Sequence, residues 1–243
     1  MPFLITSLVA LAILLLVLFI RALAFKPEEK DVPKVDEITV DTERAVMELC
    51  RLIECKTVSM KDRSLENESE FLKLERTLPE LFPVVFKKCS FEKVGERGLL
   101  LRWRGRSEAR PTVLMAHYDV VAAGGDEWLF PPFSPEVHDG FLYGRGTLDT
   151  KLTMSTMLHA AERLIEEGFV PERDVYFAFG GDEETGGVGA SEIVALFEKR
   201  GIFPSLVLDE GGAIVRDLFP NVDRSTAVIG IAEKGMANIS YTV

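Results

Sequence analysis

Histidine is scarce in this 243-residue chain, with only three, at positions 117, 138 and 159. Cysteine is equally scarce. Cys50, Cys55 and Cys89 cannot all pair with one another and lack the paired spacing of a thiolate metal site. No disulfide framework is expected, and the three read as packing residues. Positive charge is also short: 28 Lys and Arg stand against 39 Asp and Glu, a net charge of −11. Nucleic acid requires a basic footprint, so no nucleic-acid partner is expected. Internal repeats and low-complexity tracts are missing too. With 47% hydrophobic and 28% charged residues, the composition is that of a globular chain able to bury a core.

One long apolar run stands out. FLITSLVALAILLLVLFI, Phe3 to Ile20, is 18 residues without a charge, close to the length that crosses a bilayer. It is apolar on every face, so residues 1–24 read as a single-pass membrane anchor or an uncleaved signal. A cleaved signal peptide is the rival reading, because ALA at 22–24 resembles a cleavage site, and cleavage would make the protein secreted. Against it, no Lys or Arg precedes the run. Arg21, Lys26 and Lys30 follow it and favour a cytoplasmic globular part, but Glu28 and Glu29 dilute that bias and leave orientation open. Residues 25–40, including KPEEKDVPKVDE, read as a charged linker.

From Asp41 the pattern changes. Ala45, Leu49, Leu52 and Ile53 share one face of a helix over 42–55, with Asp41 or Thr42 as its cap. A second helix is expected over 68–81, with Pro79 bending it and Pro83 ending it. Strands are expected at 98–105, 111–121, 174–184 and 205–212, with helices at 150–168 and 189–201 and an irregular stretch at 124–146. Two further strand-like runs occupy 226–243, and the chain stops inside the second. Apolar strands alternating with amphipathic helices predict an α/β fold, a mostly parallel or mixed sheet with helices on both faces.

The chemistry gathers where these strands end. LMAHYDVV (114–121) puts His117 and Asp119 at the end of an apolar run, where burying them is costly unless they are paired. GGDEETGG carries Asp182, Glu183 and Glu184, LVLDEGG carries Asp209 and Glu210, and Asp149 stands just ahead of a helix. In open α/β sheets ligands bind beyond the carboxyl ends of the strands, so one His and several carboxylates should meet on one rim. Such a cluster repels itself unless a cation neutralises it, and nitrogen plus carboxylate oxygen suits zinc, with cobalt or manganese as alternatives. Five or six donors exceed one tetrahedral zinc, whereas two bridged metals would use them all. One carboxylate must then stay off the metals to move protons, and the adjacent pair at 183–184 can divide these roles.

LMAHYDVV, FPPFSPEVHDGFLYGRGTLDTK, GGDEETGG and LVLDEGG, in that order, resemble the motifs of the zinc-dependent aminoacylase and carboxypeptidase family. The likeness covers residues 41–243 and is strongest to the branch of carboxypeptidase S and the N-acyl-amino-acid hydrolases. The resemblance implies that His117 binds one zinc and that Asp119 orients that imidazole. It further implies that Asp149 bridges both metals, Glu183 is the general base and Glu184 binds the second metal. It assigns the remaining carboxylate to Asp209, with Glu210 left open. Thr150 stands where the family often has a second Asp. The family's last ligand is a His far downstream, beyond a lid and dimerisation domain. His138 and His159 are instead expected in loop and packing roles, so the chain reads as truncated at its C-terminus. Residues 41–232 are then the N-terminal part of a catalytic domain and 233–243 the start of the lid, through which a homodimer would form. The expected substrate is a small peptide or an N-acyl amino acid, cleaved at an amide next to a free carboxylate. The alternatives are a dipeptidase or aminoacylase of the same family, or a non-catalytic, membrane-tethered binding module.

Overall fold

The computed structural model describes residues 2–25, 38–125, 128–232, 239 and 241. The chain divides into two compact units, Met1–Thr39 and Val40–Val243. In the first, α1 (Pro2–Ala24) carries a 21-residue stretch, Leu4–Ala24, with a mean hydropathy of 2.7, long and apolar enough to cross a membrane. Arg21 in its last turn complements the negative end of the helix dipole. Most of the linker expected at 25–40 and nearly all of the lid entry expected at 233–243 lie outside the described residues.

The second unit opens with α2 (Thr42–Ile53), whose cap is Asp41: its carboxylate accepts from the Arg44 N–H at 3.1 Å. In α3 (Glu68–Leu81), Phe71, Leu74, Leu78 and Leu81 form the buried stripe. Pro79 sits inside this helix. Pro83 does more than follow the end of α3, because it starts a further helix, α4 (Pro83–Lys88). Phe82, between the two, has no capping side chain. The orphan N–H groups of Val84 and Val85 donate instead to the buried carboxylate of Glu162, at 3.0 and 2.7 Å.

Five strands form a mixed sheet: β1 (Ser90–Val94), β2 (Gly98–Trp103), β3 (Thr112–His117), β6 (Val175–Gly180) and β7 (Leu206–Leu208). Their order is β1-β2-β6-β3-β7. β3 pairs parallel with β6 and β7, while β1–β2 and β2–β6 are antiparallel. The expected α/β class with a mixed sheet is therefore what the chain adopts. The parallel crossovers run through α5 (Lys151–Glu166) and α6 (Gly189–Arg200). Alternation along the strands splits the core into two faces. Leu99, Leu101, Phe177 and Phe179 join the side chains of α2, α3, α4 and α5, while Leu100, Val113, Tyr176 and Ala178 pack under Ile193 and Phe197 of α6.

Three further features differ from the sequence expectation. β1 is a short, largely exposed edge strand with charged residues, so it carries little apolar alternation. The stretch expected to be irregular contains a hairpin, β4 (Glu136–His138) and β5 (Phe141–Tyr143). Its two-residue turn is Asp139–Gly140, with φ of 50° and 81°, the left-handed pair that a tight hairpin needs. A two-stranded ribbon, β8 (Ile214–Val215) with β9 (Thr226–Ala227), follows β7.

The tie between Glu162 and α4 gives a stability prediction. Glu162→Ala leaves one buried and one partly buried N–H group without acceptors and is expected to cost about 1–4 kcal/mol. This would be read as a lower urea midpoint at unchanged m-value, and a midpoint equal to wild type refutes it.

Candidate metal centre

β3 is apolar through Ala116 and then changes character. His117 is 3% exposed and Asp119 not at all, and both lie on one side of the strand's continuation. Tyr118, between them, turns into the core and donates its hydroxyl hydrogen to the Arg97 carbonyl at 3.0 Å. Val120 exchanges backbone hydrogen bonds with Thr57 and Ser59, so residues 57–59 brace this strand end.

His117 Nδ1 lies 3.0 Å from the Asp119 carbonyl oxygen and 3.3 Å from its Oδ1. With acceptors on that side, Nδ1 holds a proton, and Nε2 faces the rim. There it meets Asp149 Oδ1 at 2.9 Å, Glu210 Oε2 at 3.4 Å and Glu183 Oε2 at 3.7 Å. Burial alone would depress the His117 pKa, but the hydrogen bond and charge of Asp119, with Glu210 and Asp149 beyond, raise it to about 10. Glu184 is raised by burial and then by the Asp149 charge. Glu210 is raised by burial, with Asp149 and Glu183 adding repulsion that the His117 charge offsets. Asp119 goes the other way. Burial pushes it up, but hydrogen bonds from His117 and Ser59 hold it below the usual carboxylate range.

Each carboxylate is delivered by a different segment. Asp149 stands two residues ahead of Lys151, the first residue of α5, and the Asp149–Thr150 peptide is cis. Lys151 is fully buried, and its Nζ donates to the Leu52 and Cys55 carbonyls at 2.9 and 2.5 Å, which ties the start of α5 to the end of α2. Burial pushes its pKa down to about 7. Glu183 and Glu184 lie in a single 3₁₀ turn after β6, and their N–H groups donate to the Asp119 carboxylate at 3.2 and 3.1 Å. A Cβ at Gly181 would sit 2.3 Å from the Tyr118 ring, so only glycine lets this turn close against β3. Asp182, 3% exposed, accepts from the Val188 N–H at 2.9 Å, the Gly189 N–H at 3.2 Å and Arg63 Nη2 at 2.7 Å, pinning the turn to the start of α6.

Two triads of donors lie within reach of a single ion: His117, Asp149 and Glu184, and His117, Glu183 and Glu210. One imidazole nitrogen with several carboxylate oxygens, all short of positive charge, is a donor set that fits a divalent cation. Of the residues named from sequence, His117, Asp149, Glu183, Glu184 and Glu210 come together here, with Asp119 directly behind them. Asp209 is in neither triad. Its Oδ1 accepts from the Glu210 N–H at 2.8 Å, and Glu210 is the one of the pair that reaches His117. His138 stacks on Phe130 with ring centroids 3.8 Å apart and bonds Glu136, while His159 bonds the buried Glu48 at 2.7 Å. Two participants were not anticipated from the sequence. Ser59 donates to Asp119 Oδ2 at 2.6 Å. Lys151 shares the buried stripe of Met154 and Leu158, an apolar-face position for a charged residue that was a legible signal.

Comparison with known proteins agrees with this fold. Residues 113–237, just over half of the chain, match the family model for peptidase family M20/M25/M40. The chain is 38% identical over 195 residues to a probable carboxypeptidase S-like 2 of Dictyostelium discoideum, covering 77% of this chain and 38% of that one. It is 36% identical over 194 residues to human N-fatty-acyl-amino acid synthase/hydrolase PM20D1, covering 79% and 38%. The chain thus spans about two fifths of the length of these curated relatives. The structure of human carnosine dipeptidase 1 superposes with a TM-score of 0.59 at 20% identity, over 72% of this chain and 40% of that one, a likeness of fold. With motifs, sheet and family match in agreement, the chain belongs to peptidase family M20/M25/M40.

Proposed function

We propose that this chain is the N-terminal catalytic part of a metal-dependent hydrolase that cleaves an amide bond next to a free carboxylate. A carboxypeptidase or an N-acyl-amino-acid hydrolase performs that reaction. The observation that carries the reading is the meeting of His117 with Asp149, Glu183, Glu184 and Glu210, brought from separate segments to one rim. The likeness to proteins named for carboxypeptidase S and N-fatty-acyl-amino acid hydrolysis supports it. Small peptides or N-acyl amino acids are the substrates this reading selects. It assigns residues 1–24 to a membrane anchor, 25–40 to a linker, 41–232 to the catalytic domain and 233–243 to the entry of a lid that serves dimerisation.

His117, Asp149, Glu184 and a carboxylate of the Asp209–Glu210 pair would hold two divalent cations, zinc foremost, with cobalt or manganese as alternatives. When bound, such cations polarise a carbonyl and lower the pKa of water. The chain's own residues do the rest. Asp119 keeps the His117 Nδ1–H engaged, so that Nε2 presents its lone pair to the rim. Glu183 takes a proton from the attacking water on its carboxylate and delivers it to the leaving nitrogen. Its backbone N–H is fixed on Asp119 while its side chain stays 56% exposed, so the carboxylate is anchored at its root and free at its tip.

Three expectations test this reading on full-length protein. Glu183→Gln should retain wild-type metal content by elemental analysis yet lose about a hundredfold to ten-thousandfold in kcat; near-normal turnover would reject the general-base assignment. Asp119→Asn should weaken metal affinity about ten- to a hundredfold. A chelator should abolish hydrolysis of an N-acyl amino acid panel and added zinc restore it. Activity that survives complete metal removal would sink the metal-dependent reading.

A further inference from the structure

At the other end of the same sheet lies a cavity of about 1050 Å³. It opens where β2 ends, where β3 and β6 begin, and beside the last residues of α6. Thr112 pairs with Val175 at this end and His117 with Gly180 at the other, so the cavity is set off from the metal cluster by about 16 Å of strand.

Its wall is rich in guanidinium although the chain carries a net charge of −11. Arg102, Arg104, Arg106, Arg110 and Arg200 line it, with Glu92, Glu108 and Asp174 as the opposing carboxylates. Arg102 is paired with Asp174 and Arg200 with Glu92, so those charges cancel. Arg110 donates to the Phe203 and Pro204 carbonyls, which hold it in place without neutralising it. Arg104 and Arg106 have no side-chain partner among the described residues. Three uncompensated guanidinium groups therefore face one carboxylate, Glu108, an excess of two positive charges.

The scaffold beneath these groups is fixed. The N–H groups of Gly105, Arg106 and Ser107 donate to Asp174 Oδ1, the Pro171 carbonyl and the Glu172 carbonyl at 2.8, 3.0 and 2.9 Å. A Cβ at Gly105 would lie 2.3 Å from the Arg173 carbonyl carbon, so glycine is what lets the loop lie flat here. Tyr176 also lines the cavity. It is only 4% exposed, and its hydroxyl has no hydrogen-bond partner among the described residues. Guanidinium groups carried on a fixed backbone, with a phenolic hydroxyl beside them, are donors of the kind that recognise phosphate oxygens. A single carboxylate would cancel half of the charge excess, whereas a phosphate monoester, about −1.5 to −2 at neutral pH, matches it.

We propose that this cavity binds a phosphate group, carried by a soluble phosphate or by a lipid headgroup, at a site separate from the metal cluster. Calorimetry on zinc-loaded full-length protein in neutral detergent tests it, with inorganic phosphate and dihexanoyl phosphatidic acid titrated separately at constant ionic strength. Saturable binding of at least one titrant is expected. The double variant Arg104→Ala/Arg106→Ala should weaken it about tenfold or more, and Glu108→Gln should tighten it several-fold. The titrant that binds more tightly identifies the source. Binding that is unchanged in the double variant belongs to the metal cluster and overturns the proposal, as does the lack of saturable binding of either titrant. The same double variant should hydrolyse N-acyl amino acids at the wild-type rate, which keeps a failure here distinct from a failure of the hydrolase reading.

Discussion

Asp119 has no exposed surface, and hydrogen-bond donors from three stretches of chain converge on its two oxygens. Ser59 arrives from the segment that follows α2, the N–H groups of Glu183 and Glu184 from the turn after β6, and His117 from its own strand. An isolated buried carboxylate would cost several kcal/mol, so these donors are what allow it to exist. The dependence also runs the other way. Because the backbone N–H groups of the two glutamates are held on the Asp119 carboxylate, their side chains start from a fixed root on the rim. One buried charge thereby sets the relation among three segments distant in sequence.

The same residue fixes what His117 presents, with its main-chain carbonyl oxygen 3.0 Å and its carboxylate 3.3 Å from Nδ1. With Nδ1 occupied, only Nε2 faces the rim, and it faces carboxylates. Burial pulls the imidazole pKa down, but the hydrogen bond and charge of Asp119, with Glu210 and Asp149 beyond, raise it to about 10. A divalent cation competes with a proton for Nε2. It would also relieve the carboxylate repulsion that adds to burial in raising Glu184 and Glu210. The electrostatics of the cluster and its donor chemistry therefore both suit a divalent cation.

The sequence conveyed the parts of this arrangement that rest on periodicity and chemical contrast. His117 and Asp119 were visible because they interrupt an apolar strand, and the carboxylates because each follows a strand or precedes a helix. What stayed hidden depends on contacts between distant segments. Ser59 is an ordinary loop serine until the fold brings Asp119 to it. The choice between Asp209 and Glu210 turns on which side chain leaves the strand end toward His117, which adjacency in sequence does not encode. β1 escaped because an edge strand buries little, and α4 because Pro83 marks both an end and a beginning. The β4–β5 hairpin is different, since Asp139–Gly140 between alternating residues was a readable turn signal.

A mixed sheet has two ends, and this chain gives them opposite electrostatic character. Carboxylates collect where β3, β6 and β7 finish; guanidinium groups collect where β3 and β6 begin and β2 finishes. The means of construction is shared. At both ends glycine permits a close approach, Gly181 against Tyr118 and Gly105 against Arg173, and backbone N–H groups on a buried or half-buried aspartate hold the loop. Rigid loops of this kind keep like charges together that would otherwise separate, and charges held together without compensation are what bind an oppositely charged ligand. By that logic the acidic end calls for a cation, and the basic end calls for an anion of about two charges.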